Sequence, residues 1–105
     1  MDRLTILNDW LNSVENEWNK LRIELLELEK QNRINEIKLE ILKSEQLSQM
    51  FAEEINELRK AIENINKEIN RIKQKQEKLE CLAKVLDKKI KDAETKNIVD
   101  QKYNK

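Results

Sequence analysis

The side chains able to do chemistry in this chain are carboxylates, ammonium groups and one thiol. Glu pairs spaced three or four apart, such as Glu36 and Glu40, put two carboxylates on one helix face. General acid–base catalysis needs such a pair in contrasting environments that push the two pKa values apart. These pairs read as ordinary helix-surface charges. There is no histidine to serve as a base near neutral pH, and no glycine to build a phosphate-cradling loop. Cys81 is the only cysteine, so neither an intrachain disulfide nor a Cys/His zinc site can be assembled. No catalytic, cofactor-binding or metal-ligating residue is expected, and neither is an enzyme or a small-molecule substrate.

Positive charge is the other candidate. Lys67, Arg71, Lys73, Lys75, Lys78, Lys84, Lys88, Lys89 and Lys91 form a basic stripe over 67–91, interrupted by Glu68, Glu77, Glu80 and Asp87. It lacks the interleaved aromatics that stack single-stranded bases. The whole chain has 21 basic and 21 acidic residues, where a nucleic-acid binder is normally basic. Nucleic acid is therefore not the expected partner, and a polyanion- or filament-binding surface is the alternative reading. The first 50 residues hold 7 basic and 10 acidic side chains and the remainder 14 and 11, so the two halves carry opposite bias.

The elements that must position these groups are helices. The chain has neither Gly nor Pro, 40% charged residues and 4% aromatics, a composition of long helices rather than of a thick core. From Phe51 to Ala93 apolar residues recur four and three apart: Phe51, Ile55, Leu58, Ile62, Ile65, Ile69, Ile72, then Leu79, Ala83, Leu86, Ile90 and Ala93, with Gln76 at the one polar position. This is a heptad repeat. The predicted self-association seam is Ile55, Leu58, Ile62, Ile65, Ile69, Ile72, Gln76, Leu79, Leu86 and Ile90.

Residues 1–33 form an N-terminal Leu/Trp segment suited to a helical bundle. Leu4, Leu7, Leu11, Val14, Trp18, Leu21, Leu25 and Leu28 define its face, Asp2 can cap it, and Ile6, Trp10, Ile23 and Leu26 lie off it. Leu4, Leu7, Trp10, Leu11, Val14, Trp18, Leu21 and Leu25 are the expected partner-binding residues. Residues 34–50 are a heptad discontinuity. The first phase continues to Asn32, Asn35, Leu39 and Leu42, while a second begins at Ile34, Ile37 and Ile41 and leads through Ser44 and Ser48 to Phe51. Residues 51–93 are the coiled coil, and 94–105, which include Tyr103, are a tail expected to fray.

Two all-α arrangements follow. In the first, one continuous helix of about 95 residues, roughly 140 Å long, forms a parallel coiled coil. In the second, the polar run from Lys43 to Gln49 turns and the chain folds into an αα-hairpin. The first is favoured because tight turns use Gly, Pro, Asn or Asp, which this run lacks.

Flanking charges bear on orientation. In a parallel pair of C-terminal halves, Glu54–Arg59, Glu68–Lys73, Lys75–Glu80 and Lys89–Glu94 are all opposite in sign. In the N-terminal half Glu17–Arg22 attracts but Glu24–Glu29 and Lys38–Lys43 repel. The C-terminal half thus suits a homo-oligomer through 51–93; Ile62, Ile65, Ile69 and Ile72 lean towards three strands and Gln76 back towards a homodimer. The N-terminal half suits a different helix, on a partner protein or in the chain itself.

The segment Trp10-Leu11-x-x-x-Glu15 resembles the first helix of a spectrin repeat over about ten residues. That resemblance implies three short helices and two turns, and the unbroken repeat from Phe51 to Ala93 leaves no room for the second turn. Gln76 among its heptad layers resembles a SNARE motif, which implies a helix of a membrane-fusion bundle; no anchor segment is expected after it. No apolar run approaches the roughly 18 residues of a membrane span, and no signal peptide follows Met1-Asp2-Arg3-Leu4. The expected setting is the cytoplasm or nucleus. The expected function is that of a non-enzymatic coiled-coil oligomerisation or adaptor subunit. Small subunits of kinetochore, cytoskeletal or tethering assemblies share this architecture.

Overall fold

The computed structural model describes the backbone of residues 2–44 and 46–103, and side chains within 2–44 and 46–95. The described residues form three helices: α1 (Arg3–Lys43), α2 (Leu47–Met50) and α3 (Ala52–Tyr103). Among the described residues there is no strand. The fold is all-α, as the composition requires. The segment expected to fray overlaps the last turns of α3, and its side chains from residue 96, Tyr103 included, lie outside the described residues.

Helix α1 starts where Asp2 caps it. The Asp2 carboxylate accepts from the Thr5 amide at 2.8 Å, satisfying one of the free N–H groups of the first turn. The helix stops at Lys43 without glycine or proline. There Ser44 donates its hydroxyl to the Ile41 carbonyl at 2.7 Å, and its amide reaches the same carbonyl at 3.2 Å. A serine that bonds back on its own turn competes with the helical ladder. Gln46 precedes α2 in the right-handed region, at φ −84° and ψ −8°. The Phe51 amide then donates to the Leu47 carbonyl at 2.9 Å, and Ile55 to Phe51 at 2.9 Å, handing the ladder over to α3. The continuous helix favoured from sequence is therefore not formed. The hairpin is, because a serine and a single turn of helix do the work assigned to glycine or proline.

The chain divides into two compact units, Leu21–Gln74 and Met1–Lys20 with Lys75–Lys105. The Leu21–Gln74 unit is the helical hairpin itself. Leu21, Ile55, Ile69 and Ile72 are buried in it, and Leu25, Leu28, Leu39, Leu42, Leu58, Ile62 and Ile65 are half-buried. The competition between heptad phases is settled here. Asn32 and Asn35 are each only 6% exposed, whereas Ile34, Ile37 and Ile41 remain on the surface. The cause is helix continuity. Leu21, Leu25 and Leu28 fix which face of α1 turns inward, and an unbroken helix cannot rotate its seam a few residues later.

In the other unit, Leu7, Val14, Leu86 and Ile90 form a buried cluster, with Leu4, Leu11, Leu79, Leu82 and Ala83 packed against it. Each fully buried aliphatic side chain contributes about 1.5–3 kcal/mol. Gln76, only 8% exposed, is also buried here.

Candidate interaction surfaces

The residues assigned to a self-association seam face inward within their own units. Ile55, Ile69, Ile72, Gln76, Leu86 and Ile90 are buried, and Leu58, Ile62, Ile65 and Leu79 are half-buried. The residues assigned to partner binding divide. Leu7, Val14 and Leu21 are buried, and Leu4, Leu11, Trp18 and Leu25 are half-buried. Only Trp10, at 50% exposure, stands outside. Trp18 lies in a shallow groove with Val14, Leu79 and Ala83, and its indole N–H donates to the Glu80 carboxylate at 3.1 Å.

Two polar features mark the hairpin unit. Asn32 Nδ2 donates to Asn66 Oδ1 at 2.7 Å, while the Asn32 Oδ1 is buried with no partner. Gln31 donates to Asn35 Oδ1 at 3.3 Å. Beside them an open cleft is lined by Glu29, Arg33, Glu36, Asn66, Asn70 and Lys73. Its charges are mixed, so it has no single sign with which to attract an ion.

The basic stripe of α3 is partly neutralised along its own helix. Lys67 pairs with Glu63 at 3.4 Å, Arg71 with Glu68 at 3.1 Å and Lys91 with Asp87 at 3.0 Å. The hydrogen bond and the charge of Asp87 raise the Lys91 ammonium above its ordinary value. All six side chains keep much of their contact with solvent, so the pairs add little to stability, but the local field is weakened. Cys81 is exposed. Among the described residues no group of three or more His, Cys, Asp or Glu side chains is placed to hold a metal ion. No described helix is long and apolar enough to cross a membrane.

What the surface offers instead is the outer side of α1. Ile23 is 69% exposed, Leu26 57%, Ile41 56%, Ile37 46% and Ile34 37%. Ile23, Ile34, Ile37 and Ile41 each follow an inward residue by two positions, which places them about 200° around the helix. In the hairpin unit α1 is thus apolar on opposite sides, one side against α3 and the other against solvent. The sequence contained the signal in the residues lying off the first seam and in the second heptad phase. No protein-family model, curated protein or solved structure matches the chain.

Proposed function

We propose that this chain is a non-enzymatic helical adaptor that joins other helices through the outer side of α1, within a multi-protein assembly. One observation supports the reading above others. Of the nine large hydrophobic side chains exposed among the described residues, five lie along the outer side of α1 in the hairpin unit: Ile23, Leu26, Ile34, Ile37 and Ile41. Scattered surface apolar groups are normal, whereas a contiguous stripe marks a contact site. A helix apolar on two sides is the element that sits between neighbours in a bundle. Self-association through the 51–93 seam would require α3 to release the residues it buries against α1. The outer stripe asks for no such rearrangement.

The experiment is site-specific photocrosslinking in cells. A crosslinking side chain at Ile37 should yield discrete adducts, while one at the exposed α3 residue Lys60 should not. Equal adducts from both positions, or none from Ile37, would discard this assignment.

A further inference from the structure

Resting on the reading that the outer side of α1 is a docking surface, we infer that its occupant is a second copy of the same chain, packed antiparallel across residues 22–41. The first ground is the spacing of the stripe. Ile23 and Ile34, Leu26 and Ile37, and Lys30 and Ile41 are each eleven residues apart, a spacing that returns to nearly the same side of a helix after three turns. The stripe is also nearly symmetric end to end. An antiparallel copy sets Ile23 opposite the second chain's Ile41, Leu26 opposite its Ile37, and Lys30 opposite its Ile34. The Lys30 ammonium reaches solvent past its own apolar stem.

The second ground is charge. Along one flank of the stripe run Arg22, Glu29, Arg33, Glu36 and Glu40, each immediately before a stripe position and each exposed. Reversed end to end, the row sets Arg22 against Glu40 of the other copy and Glu29 against its Arg33, symmetry repeats both contacts, and Glu36 falls between them. A parallel copy would bring Arg33 against Lys38, beside one attractive contact of Arg22 with Glu27. Among the described residues the ion pairs lie on α3, and none involves Arg22, Glu29, Arg33 or Glu40. Two hairpins joined through α1 make a four-helix bundle, the ordinary way to cover a second apolar stripe.

Arg22 and Glu40 are eighteen residues apart on one helix, roughly 27 Å, too far to interact within one chain. This separation gives a test that changes surface charges only. Sedimentation equilibrium at low salt is run on the wild type, Arg22→Glu, Glu40→Arg, the double variant Arg22→Glu/Glu40→Arg, and an equimolar mixture of the two single variants. The wild type should dimerise. Each single variant creates two like-charge contacts per dimer and should weaken association about ten-fold. The double variant and the mixture restore opposite signs and should recover it. A role of either residue in folding alone would give no rescue on mixing.

A monomeric wild type, or single variants that are not rescued, overturns the inference. Either result combined with Ile37 adducts to a different protein removes only the second copy and leaves the docking surface in place. A monomeric wild type without Ile37 adducts removes both.

Discussion

Asn32 donates its amide to Asn66 at 2.7 Å across the helical hairpin, and its own carbonyl oxygen is buried without a partner. A seam position therefore holds one satisfied and one unsatisfied polar group. A buried unsatisfied acceptor costs about 1–3 kcal/mol. A heptad seam tolerates such a residue when it fixes register.

Asn32→Leu should accordingly raise stability, by about 1–2 kcal/mol, since it removes the orphan oxygen and adds buried apolar area. Asn66 is exposed and regains water. Urea unfolding followed by circular dichroism measures the change. A lower midpoint for Asn32→Leu would mean that the pair contributes more than its orphan oxygen costs.

The two sides of α1 should differ in their tolerance of charge. Ile69→Asp buries an unpaired carboxylate in the hairpin and should destabilise it by at least about 3 kcal/mol. Ile23→Asp places the same group where the side chain is 69% exposed, and should leave monomer helicity unchanged. Thermal melts at low protein concentration compare them. Similar losses for both variants would contradict the burial pattern.

Trp18 is only half-buried, so Trp18→Ala should cost roughly half the 3–5 kcal/mol typical of a fully buried aromatic. Glu80→Gln keeps an acceptor for the indole N–H and should cost under about 0.5 kcal/mol. Denaturant titrations that reverse this order would make the hydrogen bond, rather than packing against Val14, Leu79 and Ala83, the main contribution.

Acid should loosen the start of α1 before its interior. The hydrogen bond from the Thr5 amide, aided by the Thr5 side chain, holds the Asp2 carboxyl below its ordinary 3.8. A folded-state value depressed in this way stabilises the cap above 3.8 and loses that contribution as pH falls through the lowered value. Carbon-13 shifts of residues 3–6 should move towards coil over that interval in the wild type. They should stay flat in Asp2→Asn, which caps without titrating. A flat wild-type profile would show that the cap does not depend on the ionised carboxyl.

The seam of α1 was legible in the sequence, and so was the cap at Asp2, because both rest on short-range spacing and on one side-chain type. The reversal at Ser44 was not. Its cause is a hydroxyl bonding back to Ile41, and serine at that place carries no unique signal. Nor could spacing alone decide between Asn32 with Asn35 and Ile34 with Ile37 and Ile41. Local hydrophobicity favours the isoleucines, and only the continuity of α1 from Leu21 onward sends the asparagines inward. The same continuity leaves Ile23, Leu26, Ile34, Ile37 and Ile41, rather than most of the Leu/Trp face, exposed.

The sequence separation of the contacts between α1 and α3 predicts an order of folding events. Asn32 and Asn66 are 34 residues apart, Trp18 and Glu80 are 62 apart. Closing the longer loop first would cost about 0.5 kcal/mol more entropy. Once the hairpin has closed, the remaining residues join as extensions of helices already nucleated, without a second nucleation cost. Assembly therefore runs like a zipper from the connector outward. Pulse-labelled amide exchange would place protection within Leu21–Gln74 first, and unfolding would proceed from the chain ends.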